Sequence, residues 1–314
     1  MHLKGALFAL LAFAIFSTHD VVVKFLGGSY SPIQIIFFTV LFSFPMLMLV
    51  IIRESEGGSL IPVHPWWTGA RTASGTLSAA CTFYAFTVLP LTQVYPILFA
   101  MPLLVTILSI PFLGERVGWH RAGAVLIGLA GVIVVLRPGS ADLSLGHAAA
   151  LAGAVFSAIS SVIMRKIGRA ERTVVIQVYP LLVNFAVMGA ALPFVYTPPS
   201  VEHLGASAVV ALLALLAMTS LVAAYRLAPA IIVAPMQYSQ IIWASIYGAI
   251  FFGEHLDRMT MIGTGIIIAS GLYIVLREDR RKGSSNQPVL RSRSRLGTPG
   301  SPRIASFLRG ERDE

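Results

Sequence analysis

Hydrophobic residues in this chain run in long continuous blocks, neither alternating with polar residues nor confined to one helical face. Ten such blocks stand out: Gly5–Val23, Pro32–Ile52, Gly69–Val88, Leu91–Leu113, Arg121–Leu136, Gly146–Met164, Thr173–Tyr196, Leu204–Ala224, Pro229–Phe252 and Met259–Leu276. A bilayer core of about 30 Å needs roughly 20 apolar residues per helix. Inside lipid every backbone polar group must be satisfied within the protein, which leaves helices or a closed barrel. The blocks do not alternate, so they predict an all-α membrane protein with ten spans. The two tightest joints, Leu89-Pro90 and Ala228-Pro229, place a proline where the next helix begins, a position that needs no backbone N–H.

Composition agrees. Only 12% of the 314 residues are charged and 56% are hydrophobic, whereas soluble domains carry about 25% charge. No small-residue cleavage site follows the first block, which is therefore read as a span and not a signal peptide. The single cysteine, Cys81, lies in an apolar block and excludes a disulfide framework or a cysteine metal cluster. No cofactor or metal is expected. The net charge of +9 changes the picture only through its distribution. Lys4, Arg53, Arg71, Arg116, Arg121, Arg165, Lys166, Arg169, Arg172 and Arg226 fall on one side of the ten-span layout, while Lys24, Arg137 and Arg258 fall on the other. Short cytoplasmic loops collect Lys and Arg, so both termini are predicted to be cytoplasmic, as in a bacterial inner-membrane protein. The positive charge is topological and calls for no nucleic-acid partner. Residues 281–314 turn rich in Ser, Arg, Gly and Pro, a composition that predicts a disordered basic cytoplasmic tail.

One passage occurs twice. Pro90–Glu115 reads PLTQVYPILFAMPLLVTILSIPFLGE, and Pro229–Glu254 reads PAIIVAPMQYSQIIWASIYGAIFFGE. Pro90, Val94, Pro96, Phe112, Gly114 and Glu115 recur as Pro229, Val233, Pro235, Phe251, Gly253 and Glu254 at an offset of 139. Residues 1–140 and 141–280 thus read as two copies of a five-span unit. Five is odd, so the second copy must enter the membrane inverted. Inverted repeats are a recurrent plan of secondary transporters, with the solute site near the midplane between the repeats. A channel would need a continuous polar pore, and an intramembrane enzyme a converging catalytic set; neither pattern is present, and no catalytic residue is assigned.

The order and spacing of these motifs resemble the EamA-type repeats of the drug/metabolite transporter superfamily. Arg71 opens the third span, FYAF follows at Phe83–Phe86, then LPLTQVYPILFAMPLL, FLGE and a glycine-bearing span; YRLAPAIIVAPMQYSQIIWASIYGAIFFGEHLD repeats the scheme. The resemblance implies a ten-helix carrier of small organic solutes that works by alternating access. The STHDVVVKFLGG opening and the IIFFTVLFSFP second span are most similar to metabolite-uptake members, with riboflavin the first cargo implied. S-adenosylmethionine uptake and amino-acid or drug export are the alternatives. In one respect the chain departs from the family: Thr39 stands where an arginine is common in the second span.

Ionisable groups inside a span are costly and invite a functional reading. The first span carries Ser17-Thr18-His19-Asp20 and then Lys24, with Asp20 and Lys24 spaced to pair on one face. Histidine changes charge near physiological pH, so this cluster reads as a solute-binding or proton-coupling site, or as an interfacial ion pair. Phe16, Tyr95, Tyr179, Tyr238 and Trp243 supply flat faces, and Gln177 and Gln237 supply uncharged donors, a wall suited to a planar heteroaromatic solute. Pro96 and Pro235 are candidate paired hinges. Glu115 and Glu254 read as structural ends on opposite faces, bonded to loop amides or to Arg116 and Arg258. Gly123, Gly128, Gly131, Gly263, Gly265 and Gly271 read as helix-packing positions.

Overall fold

The computed structural model describes residues 2–53, 61–115, 117–138, 143–168 and 170–280. The predicted tail, 281–314, and Arg116 lie outside the described residues. All ten hydrophobic blocks are helical. The helices are α1 (His2–Gly27), α2 (Pro32–Arg53), α3 (Pro65–Val88), α4 (Leu91–Leu98), α5 (Met101–Leu113), α6 (Trp119–Leu136), α7 (Leu145–Ile167), α8 (Thr173–Ala191), α9 (Val201–Leu227), α10 (Ala230–Val233), α11 (Gln240–Phe252) and α12 (Arg258–Arg280). Among the described residues every regular element is helical.

Among the described residues, seven segments are long and apolar enough to cross a membrane: Leu3–Gly27, Leu91–Leu113, Trp119–Leu136, Leu145–Ile167, Val175–Phe194, Val201–Leu227 and Arg258–Leu276. α2 holds a shorter apolar stretch, Pro32–Pro45. α3 has the length, at 24 residues, but buries Thr68, Arg71, Thr72, Thr76, Ser78 and Thr82. Leu126, Ile127, Ile133, Ile250 and Ile262 are exposed, as expected where lipid is the solvent.

The fourth and ninth blocks depart from the single continuous helices expected of them. α4 ends at Leu98, two residues beyond Pro96, and α5 restarts at Met101 with Pro102 in its first turn. In the ninth block α10 gives way at Ala234 to a 3-10 segment, Ala234–Ser239, that contains Pro235. Proline has no N–H for the i→i−4 ladder and crowds the preceding turn, so both blocks break at equivalent prolines. Likewise the seventh block, expected to reach Tyr196, leaves the α-helix at Ala191 and closes with a 3-10 turn around Pro193.

Small residues set the main packing. α1 lies along α9 and α3 along α7, while α6 crosses α12. Gly5, Ala9 and Ala12 on α1 meet Ala217, Ala224 and the Ala228 joint. On α7, Gly146, Ala150, Gly153 and Ala154 are buried, and the Ser78 hydroxyl donates 3.0 Å to the Gly153 carbonyl. A Cβ on Gly131 would come within 2.9 Å of the Gly263 carbonyl oxygen, so these two glycines set the α6–α12 crossing. Gly128 and Gly271 are equally tight, against Leu103 and Tyr238. Gly123 and Gly265 have nothing within 4 Å of an added Cβ; the packing role expected of them is not present.

Candidate functional site

Asp20 organises the buried polar centre. α1 brings Phe16, Ser17, His19 and Asp20 into the interior, none more than 3% exposed. His19 Nδ1 lies 2.7 Å from Asp20 Oδ1. The Tyr95 hydroxyl, from α4, donates to Asp20 Oδ2 at 2.5 Å and lies 3.4 Å from Ser17 Oγ. Both carboxylate oxygens are thus held, which is the condition for keeping a charge out of water. Tyr95 lies in the last turn of α4, just before the break, and Phe99 caps that helix.

Aromatic rings surround the centre. Phe83 meets His19 edge-on at 6.2 Å, and Phe86 stands 5.7 Å from Tyr95. Phe99 lies 6.2 Å from Tyr95 and 5.1 Å, edge to face, from Tyr238. Tyr238 comes from the 3-10 segment of the ninth block and reaches across to Gly271 on α12, where a Cβ would sit 1.9 Å from its hydroxyl oxygen. Trp243 stacks on Tyr247 at 6.0 Å, and the Tyr247 hydroxyl is 3.1 Å from Thr18 Oγ1. Close by along the chain, the Gln240 amide nitrogen and the Ser239 hydroxyl are buried without hydrogen-bond partners.

The expected residues therefore divide. Ser17, His19, Asp20, Tyr95 and Tyr238 belong to one connected neighbourhood, and Trp243 joins it through Tyr247 and Thr18. Gln237 is half-buried in the same 3-10 segment as Tyr238. Phe16 packs with Phe13, Met218 and Leu221 in the apolar cluster between α1 and α9. Gln177 and Tyr179 lie on α8, which packs mainly on α2 and α3. The Gln177 amide nitrogen, both amide atoms of Asn184 and the Thr39 hydroxyl are buried without partners there.

Two expected pairings are replaced. Lys24 does not pair with Asp20 along α1; its ammonium bonds Glu254 Oε1 at 2.8 Å and also donates to the Leu89 carbonyl. Glu115 bonds Arg165 of α7, and Glu254 turns to Lys24 and not to the nearby Arg258; the expected Glu115–Arg116 pairing falls outside the described residues. Glu254 also accepts the Leu91 N–H at 2.8 Å. In each case the αL turn at Gly114 or Gly253 (φ 66° and 63°) carries the glutamate back over its helix end, its N–H donating to the Ser109 or Gly248 carbonyl. Only tertiary packing brings its partner there.

Among known proteins, the family described as the EamA-like transporter family matches this chain twice, over residues 3–137 and 144–276. The S-adenosylmethionine uptake transporter of Rickettsia prowazekii is 25% identical, covering 91% of this chain and 97% of its own. The pseudopaline exporter of Pseudomonas aeruginosa is 27% identical over 85% of this chain and 94% of its own. The riboflavin transporter of Rhizobium johnstonii is 26% identical over 88% and 93%. A crystal structure with 18% identity shares the fold at a TM-score of 0.58, covering 89% of this chain and 98% of that one.

Proposed function

We propose that this chain, a membrane transporter that belongs to the EamA-like transporter family, takes up a planar, positively charged metabolite by alternating access. The observation that carries this reading is the buried Asp20 carboxylate, held by His19 and Tyr95 among Phe83, Phe86, Phe99 and Tyr238. A desolvated carboxylate selects a cation, and ring faces select a flat heterocycle and cation–π contact. S-adenosylmethionine combines both features, and a relative named for its uptake spans nearly the same length. Riboflavin offers the ring without the positive charge, and so comes second. The His19–Asp20 pair is also the proposed site of proton coupling.

The architecture proposed is ten spans in two inverted repeats, 1–140 and 141–280, with both termini cytoplasmic. Exchanging the first five spans with the last five maps the α1–α9 contact onto α7–α3 and α6–α12 onto itself, which supports that symmetry. Pro96 and Pro235 would act as paired hinges at the two helix breaks.

Uptake by proteoliposomes holding the purified protein tests this. Labelled S-adenosylmethionine is expected to enter saturably, to show counterflow, and to need a roughly 10- to 100-fold higher concentration for half-saturation with Asp20→Asn. Saturable riboflavin uptake that survives Asp20→Asn would overturn the cationic cargo and leave the transporter assignment intact. A pH profile of uptake unchanged by Asp20→Asn would end the proton-coupling proposal.

A further inference from the structure

We infer that the two Gly-Glu ends are equivalent clamps that close opposite mouths of the carrier in turn, one complete in this structure and the other half-made. The inference rests on the alternating-access reading above. At one mouth, Lys24 at the end of α1 bonds Glu254 beyond α11, and these two grip the α3–α4 joint from both sides. Glu254 Oε2 accepts the Leu91 N–H, while Lys24 donates to the Leu89 carbonyl. The clamp thus ties two stretches of the first repeat, the end of α1 and the α3–α4 joint, to one of the second. Gly146, at the start of α7, presses against Leu89 at the same mouth.

The opposite mouth repeats the plan with the repeats exchanged. Arg165 at the end of α7 bonds Glu115 beyond α5. The equivalent joint is Ala228-Pro229-Ala230, against which Gly5 of α1 presses, with an added Cβ only 2.4 Å from the Ala228 Cβ. Here the second half of the grip is missing. Glu115 Oε2, the counterpart of the oxygen that holds Leu91, has no partner, nor do Arg165 Nε and Nη1. These atoms are buried, so leaving them unpaired costs free energy. By the equivalence of the two ends, Glu115 Oε2 would take the Ala230 N–H and Arg165 the Ala228 carbonyl when this mouth closes. Unequal completion of two equivalent clamps is what a carrier closed at one mouth and loosened at the other would show. A purely structural rivet gives no reason for buried groups to stay unsatisfied at one end only.

Spin-label distances in nanodiscs test this without any cargo, so failure of the S-adenosylmethionine assignment would leave the result standing, and the reverse. On a Cys81→Ser background, labels at the exposed positions Val88 and Phe251 report the Lys24 mouth, and labels at Ile110 and Arg226 report the Arg165 mouth. Neutralising both partners together avoids stranding a buried charge. Lys24→Met with Glu254→Gln is expected to add a longer Val88–Phe251 population and to deplete the longer Ile110–Arg226 one. Arg165→Met with Glu115→Gln is expected to act only at its own mouth, and less strongly, because that clamp is half-made. A second measurement covers variants that do not fold: Lys24→Cys and Glu254→Cys bridged by a short bifunctional maleimide should enrich the longer Ile110–Arg226 population. Distances unchanged at the altered end, both ends lengthening together, or a bridge with no effect at the far mouth would each overturn the proposal.

Discussion

Asp20 shows how much one residue depends on its surroundings. Alone in a span it would be expensive; here both its carboxyl oxygens have partners, His19 and Tyr95. Hydrogen bonds to charged groups contribute about 1.5–3 kcal/mol each. Asp20→Asn is therefore expected to weaken apparent affinity for a cationic cargo roughly 10- to 100-fold, read as half-saturation in an uptake assay. Tyr95→Phe removes one donor and keeps the ring, so a smaller loss in the same assay is expected. Phe16→Leu, which alters the α1–α9 cluster and not this polar centre, should leave half-saturation unchanged.

Glycine contacts decide the packing of the elements. Gly271→Ala drives a methyl into the Tyr238 hydroxyl; overpacking of this kind costs about 1–3 kcal/mol, measurable as a lower melting temperature in detergent. Adding Tyr238→Phe removes the clashing oxygen and should recover much of the loss. Gly131→Ala meets a carbonyl on α12 and should be as damaging as Gly271→Ala, with no such rescue. Gly123→Ala and Gly265→Ala enter open space and should leave the melting temperature unchanged or slightly raised. The helix breaks belong to this scale too. If Pro96 and Pro235 are hinges, Pro96→Ala is expected to lower maximal uptake rate more than it shifts half-saturation, because it stiffens a moving element without touching the carboxylate.

For the whole molecule, transport is the property under test, and the sequence carries no nucleotide-binding loop to power it. Uptake is expected to need no ATP and to show counterflow; linear, non-saturating flux would argue for a pore. The family is shown by two matches along the chain, and the sequence motifs had already pointed to it through their order and repetition.

Hydropathy by itself determined the helices, since a bilayer admits few alternatives for runs of 20 apolar residues. The repeated prolines and Gly-Glu ends fall at the breaks and turns, although the blocks were expected as continuous helices, because proline and αL glycine act on their own backbone whatever surrounds them. His19, Asp20, Tyr95 and Tyr238 were legible as candidates for the same kind of reason: polar and amphipathic groups deep in apolar segments stand out against their neighbours. What sequence could not give was partnership. Spacing suggested that Lys24 meets Asp20 and that Glu254 meets a loop amide or the nearby Arg258, because local rules see only the same helix or the next few residues. Packing set Lys24 against Glu254 and Arg165 against Glu115, 230 and 50 positions apart along the chain. It also separated Gly131 and Gly271, which touch another helix, from Gly123 and Gly265, which touch nothing. A long-range ion pair depends on where two helix ends arrive in space, and only the tertiary structure decides that.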